Sequence, residues 1–224
     1  MERSLPKRIW YWSVVVAVRL FFIVTCRMRV HGREHEPPGG SALVLSNHES
    51  HLDPVVVGCS FQRRLNFLAR SSLFQFPPLR WFLLSVDSIP IEREGMGMSG
   101  LKETLRRLKR QEMVLIFPEG TRSRDGSIGK LKLGFCMLAR RASVPLVPVG
   151  IAGSYDAWPR SRKFPRPAVI HVQIGESLKP EQFEQMDDEQ LMVEMQRRIE
   201  SCHANASRQV RQARHPDSGE GCGD

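Results

Sequence analysis

The chain has little sulfur chemistry to offer. Its five cysteines, Cys26, Cys59, Cys136, Cys202 and Cys222, are scattered, odd in number and without paired spacing. That argues against a disulfide framework or a zinc site and for a reducing compartment. No internal repeat is present. No small-residue cleavage site follows the basic and then apolar N-terminus, so the start differs from a secretory signal peptide. Acidic residues are outnumbered, 24 against 33 Lys and Arg, and the net charge is +9. Such a balance implies acidic partners: nucleic acid, anionic lipid head groups or phosphorylated substrates. Yet no nucleic-acid recognition motif stands out, and no aromatic is interleaved with the basic helix of residues 99–110.

What is present suits one domain. Its 224 residues are 41% hydrophobic, enough for a sizeable core with a terminal appendage. Ile9 to Cys26 is an apolar run interrupted only by Arg19. Arg8 and Arg19 would lie within about 20° of each other around a helix, which makes a narrow polar stripe. Trp10, Tyr11 and Trp12 favour the membrane interface. An interfacial or half-inserted helix is the preferred reading; a true span and a soluble amphipathic helix are the alternatives.

Leu43 to Leu45 reads as a buried strand stopping at Ser46-Asn47, with His48 next and Asp53 five residues on. Imidazole is suited to take a proton near neutral pH, and a carboxylate on its far nitrogen would fix the tautomer. Five residues advance a helix by about 500°, so the two side chains can meet only where the backbone turns, as at a strand-to-helix junction. A hydrogen-bonded turn is the bland alternative. His48 and His51 form a weak metal signature without further ligands. No Ser or Cys in this stretch has the setting of a nucleophile elbow, which points to a base acting on a substrate hydroxyl.

Further along, Val30 to Gly40 is a turn-rich connector, Val55 to Cys59 the start of a helix, and Asn66 to Ala69 a short strand. Leu73 to Leu84 is core or a membrane-facing, acyl-lining surface ringed by Arg63, Arg64, Arg70 and Arg80. Ser88 to Arg93 reads as a strand, Ser99 to Arg110 as a helix, Met113 to Phe117 as a buried strand. Lys130 to Arg141 suits a helix, and Val144 to Ile151 and Ala168 to Ile174 suit strands. Asp187 to about Ser207 forms a C-terminal helix, with a disordered tail from Arg208. This order predicts an α/β fold: one layered domain, a mostly buried mixed sheet flanked by helices, and an N-terminal membrane-interacting helix. The divisions are 1–35 for the membrane segment, 36–207 for the domain and 208–224 for the tail.

The loop from Phe117 to Ser123, Phe-Pro-Glu-Gly-Thr-Arg-Ser, follows a strand. Gly120 permits close backbone approach, Thr121 offers a hydroxyl and Arg122 a bidentate fork for phosphate. Arg93 could add a second cation. Together these stretches resemble the glycerolipid acyltransferase family, typified by 1-acyl-glycerol-3-phosphate acyltransferases. Asn47, His48 and Asp53 match its N-H-x-x-x-x-D block. Ile89 to Arg93 match the second block, Phe117 to Ser123 the F-P-E-G-T-R-S block, and Val144 to Val149 the V-P-x-x-P-V strand. The resemblance covers about half the chain.

It implies His48 as general base, Asp53 as its orienting partner, and Arg93, Glu119, Gly120, Thr121 and Arg122 around an acceptor phosphate. Glu119 is expected to fix Arg93 or Arg122 by an ion pair. Pro145 and Pro148 either shape a strand edge beside the acyl chain or simply pack. The donor would be acyl-CoA or an acyl carrier protein thioester, with no cofactor and no metal. The acceptor would be a membrane lipid on an anionic membrane surface, with the protein on the cytoplasmic face and no nucleic acid bound. Other acceptors (a lyso-aminolipid or glycerol-3-phosphate), and a non-catalytic basic membrane- or nucleic-acid-binding protein, are the competing readings.

Overall fold

Short runs of apolar residues become the strands of one sheet. The computed structural model describes residues 5–71, 75, 77, 80, 88–91 and 98–215. Among these, the strands are β1 (Arg29–His31), β2 (Ala42–Ser46), β3 (Leu65–Arg70), β4 (Ile89–Ile91), β5 (Met113–Ile116), β6 (Leu146–Ala152) and β7 (His171–Ile174). They lie in the order β1-β7-β6-β2-β5-β3-β4. β6 and β7 are antiparallel; every other neighbouring pair is parallel. The α/β expectation holds, with the sheet mixed.

Both faces of the central strands are buried, which is why they are apolar throughout. Residues alternate between two cores. Val44, Leu115, Val147 and Val149 face α1 (Leu5–Cys26) and α2 (Asp53–Ser60). Leu43, Leu45, Val114, Ile116 and Leu146 face α3 (Met98–Lys109), α4 (Gly134–Ala142) and the long α7 (Asp188–Arg214). Two short helices, α5 (Ser154–Ala157) and α6 (Pro180–Phe183), join them among the described residues. Leu43 is wholly buried, so Leu43→Ala would cost roughly 2–5 kcal/mol.

α1 is both core and surface. Tyr11, Val15, Phe22 and Cys26 are buried, while Val16, Leu20, Phe21 and Val24 are exposed. Its Ile9–Cys26 segment is long and apolar enough to cross a membrane, by length and composition.

Three expectations need correction. The C-terminal helix does not stop near Ser207 but runs to Arg214. Ala206 and Val210 bury against Ala152, and Arg214 pairs with Asp156, so the polar sequence conceals a docked face. Helix α4 starts only at Gly134. The residues before it are tied elsewhere: Leu131 N–H to Gln196 Oε1 at 3.2 Å and Lys132 N–H to the Pro118 carbonyl at 2.9 Å. Pro148 is not at a sheet edge, since β6 lies between β2 and β7. It sits one residue before the ladder to β7 begins at Val149. The Leu73 to Leu84 surface falls largely outside the described residues.

Gly150 permits a close approach of helix to strand. A Cβ there would meet the backbone of Cys202 and His203 at 2.3 and 2.1 Å, so α7 crosses directly over β6.

Candidate active site

β2, β5 and β6 run parallel, and their carboxyl ends open on one crevice, the usual ligand position in such sheets. Asn47, at the end of β2, locks this edge. Its amide donates to the Ile151 carbonyl at 3.0 Å and accepts from Ile151 N–H at 2.8 Å.

The chain then turns sharply into α2. That turn brings His48 Nδ1 to 2.8 Å from Asp53 Oδ2, as the five-residue spacing required. Asp53 is the first residue of α2, followed by Pro54, an arrangement favoured by the helix dipole and by proline's fixed φ. Asp53 is wholly buried, and its Oδ2 also accepts from Glu49 and Ser50 N–H, each at 2.7 Å. Ser154 Oγ, at the start of α5, lies 2.5 Å from Oδ1. With Nδ1–H donating to Asp53, His48 Nε2 is left as the basic nitrogen. The His48 ring stacks on Phe117, centroids 4.0 Å apart and planes 19° from parallel. Its side chain is 17% exposed, so the dyad is anchored from below and open at one edge.

The loop after β5 clasps the same histidine by its backbone. Glu119 Oε1 accepts from His48 N–H at 2.7 Å, and the His48 carbonyl accepts from Ser123 N–H, also at 2.7 Å. Glu119 Oε2 accepts from Gly129 N–H at 2.8 Å. Burial pushes the Glu119 carboxyl up to about 7, against two amides that favour its charge. Among the described residues its bonds thus go to backbone amides, not to the expected Arg122 ion pair. Arg93 lies outside the described residues. Gly120 holds φ at +71°, closing the turn whose N–H returns to the Phe117 carbonyl.

Glu119, Thr121 and Arg122 line a cavity of about 310 Å³, with Ser123, Arg124, Lys130 and Arg160 around it. Four cationic side chains against Glu119 and Asp125 give it a net positive lining, suited to an anion. His51 turns away, its ring 4.9 Å from that of Trp158. Cys59, Cys136 and Cys202 are buried, and burial pushes each thiol up to about 11, which makes them inert as nucleophiles.

The fold therefore gathers His48, Asp53, Glu119, Gly120, Thr121 and Arg122 at one end of the sheet. Sequence reasoning missed Ser154, Glu49 as a buried group, and Lys130 and Arg160 on the cavity wall. Glu49 carried a signal, standing beside His48 on the same turn; Ser154 and Arg160 arrive from a distant loop and carried none.

The chain is similar to known proteins in sequence and in fold. A protein from Arabidopsis thaliana named as a chloroplastic 1-acyl-sn-glycerol-3-phosphate acyltransferase is 29% identical over 59% of this chain; the match spans 38% of that relative's length. A protein of the same name from Bacillus subtilis is 25% identical, over 80% of this chain and 87% of its own. The crystal structure of PlsC from Thermotoga maritima, described as a 1-acyl-sn-glycerophosphate acyltransferase, superposes with a TM-score of 0.74 at 24% identity. It covers 96% of this chain and 84% of that one, and so shows the fold. The acyltransferase family profile matches residues 27–152, which hold the dyad and the cavity loop. The chain belongs to the acyltransferase family.

Proposed function

We propose that this chain moves a fatty acyl group from an acyl-CoA or acyl carrier protein thioester to the free hydroxyl of 1-acyl-glycerol-3-phosphate, giving phosphatidic acid. The observation that carries it is the 2.8 Å contact of His48 with a buried Asp53 beside a cationic cavity. His48 Nε2 takes the acceptor's hydroxyl proton as its oxygen attacks the thioester carbonyl. The tetrahedral intermediate collapses, the C–S bond breaks, and the departing thiolate recovers the proton from the imidazolium. Asp53 balances the charge that His48 carries in between. General-base assistance of this kind contributes about 10²–10⁴-fold. Arg122 and Thr121 hold the acceptor phosphate in the cavity, and Arg93, which matches the family's second block, is the further cation proposed for it. Glu119 acts by holding the His48 backbone.

The acceptor lives in a bilayer, and the exposed apolar face of α1 fits the lipid interface. The net charge of +9 favours an anionic, cytoplasmic leaflet. The test is purified protein with a panel of acceptors and both donor types, products read by mass spectrometry. Phosphatidic acid from 1-acyl-glycerol-3-phosphate is expected. Turnover of a different acceptor alone would redirect the reading.

A further inference from the structure

Behind Asp53 lies a second buried carboxylate with which it shares a single hydroxyl. Glu49 is 3% exposed. Its Oε1 lies 2.9 Å from Ser154 Oγ and 3.0 Å from the Tyr155 N–H. The same Ser154 Oγ lies 2.5 Å from Asp53 Oδ1. A serine hydroxyl has one proton to give. With both carboxylates ionised, one of the two short oxygen contacts would have no hydrogen in it, a costly arrangement for buried groups.

One more proton resolves the conflict, and the donor count says where it goes. Asp53 already receives Glu49 N–H, Ser50 N–H and His48 Nδ1–H, so it needs only the serine's hydrogen to be complete. Glu49 receives one amide. A proton on Glu49 Oε1 donates to Ser154 Oγ, and Ser154 then donates to Asp53 Oδ1. We propose that Glu49 is a positioning residue that carries a proton at neutral pH and, through Ser154, holds Asp53 in place beneath His48.

The acidic groups around it favour that proton. Asp53 at the start of α2 and Glu119 from the loop after β5 both disfavour a further negative charge. His203 of α7 acts the other way: its Nε2 stands 3.7 Å from Glu49 Oε2 and favours the carboxylate, but burial outweighs it. His48 is already engaged by Asp53. Burial, more than any neighbour, raises the Glu49 carboxyl above its ordinary range. Glutamine has the same shape and would replace the acid's O–H with an N–H.

This inference rests on the proposed reaction, and the experiment keeps the two apart. Wild type, Glu49→Gln, Glu49→Ala and Ser154→Ala are assayed with 1-oleoyl-glycerol-3-phosphate and palmitoyl-CoA. Folding is checked by circular dichroism. Absence of turnover in the wild type would count against the reaction, not against Glu49. Both alanine variants should lose about tenfold or more in kcat with KM little changed, while Glu49→Gln recovers most of the loss. As pH rises and Glu49 loses its proton, wild-type kcat should fall along a limb that the Gln variant lacks. Infrared difference spectra at neutral pH, which need no turnover, should show a protonated carboxyl band lost in Glu49→Gln. A Gln variant as slow as Ala, an Ala variant as fast as wild type, or no lost band would each overturn the proposal.

Discussion

Asp53 is wholly buried, and every hydrogen bond it makes is to a group fixed by backbone or packing. A few residues away, Thr121, Arg124 and Lys130 stand exposed around an open cavity. The two halves of the site meet at Glu119, which braces His48 with one oxygen and Gly129 with the other. The contrast fits the role proposed for each half. A base has to point one nitrogen in one direction, and buried donors fixed around its partner achieve that. A charged head group must enter and leave, and long cationic side chains at the rim attract it without a fixed cage. Changes to the buried half should therefore appear in kcat, and changes to the open half in KM for the acceptor.

The largest effect should come from the buried half. His48→Ala removes the base while Asn47 and the Glu119 brace keep the loop in place, because both hold backbone rather than imidazole. Turnover should fall by at least about a hundredfold with acceptor KM within a few-fold of wild type. Steady-state kinetics on a folded variant decide it. Near-normal turnover would remove His48 from the chemistry.

In the open half, Arg122→Lys keeps the charge and loses the planar fork. Acceptor KM should rise by about tenfold, roughly the loss of one charge-assisted hydrogen bond, with donor KM little changed. If the donor's KM rises instead, the cavity serves the thioester side and the two halves have been assigned to the wrong substrates.

How much of this was legible in the sequence follows the same division. The strand Leu43 to Leu45, the turn at Asn47-His48 and the cavity loop from Phe117 to Ser123 are local signals, and each could be read from its own ten residues. The requirement that His48 and Asp53 meet at a strand-to-helix junction was a matter of chain geometry, and the 2.8 Å contact satisfies it. What could not be read was contact at long range. Ser154 reaches Asp53 across 101 residues of chain, and neither its own neighbours nor its spacing announces it. Glu119 was expected to fix Arg93 or Arg122; Arg93 lies outside the described residues, and among these Glu119 does not pair with Arg122. Its burial gives it to two amides instead, which a charge count cannot foresee. The tail was misread for a related reason: Ala206 and Val210 are too few apolar residues to signal a helix face without β6 beneath them.

The exposed apolar face of α1, proposed to meet lipid, can be separated from the site. Deleting the helix would also strip Tyr11, Val15 and Phe22 from the core, so truncation confounds anchoring with folding. Val16, Leu20 and Val24 share a stripe of the exposed face and touch neither half of the site. Replacing all three with Ser should weaken binding to anionic vesicles several-fold, since each buried apolar side chain contributes on the order of 1 kcal/mol or more. Turnover on vesicle-borne acceptor should fall with it, and a short-chain, water-soluble acceptor should be affected less. A variant that floats with vesicles as well as wild type would move the anchor elsewhere.

The smallest effect should come from a contact that reaches the buried half only from outside. Arg214, in the last turn of α7, pairs with Asp156 of α5, the helix that presents Ser154 to Asp53. Both partners are well exposed, with side chains 41% and 39% accessible. Water and salt screen such a pair, and its contribution should be no more than about 1 kcal/mol. α5 does not depend on it, because Tyr155 N–H and Ser154 Oγ are held by buried carboxylates. Arg214→Ala should therefore lower Tm by no more than about 2–4 °C, less still at high salt, and leave kcat within twofold of wild type. Val210→Ser, one turn earlier and buried, should cost more stability than the ion pair does. A large loss of kcat in Arg214→Ala would mean that the end of α7 sets the position of Ser154, and that the buried half of the site is steered from the surface after all.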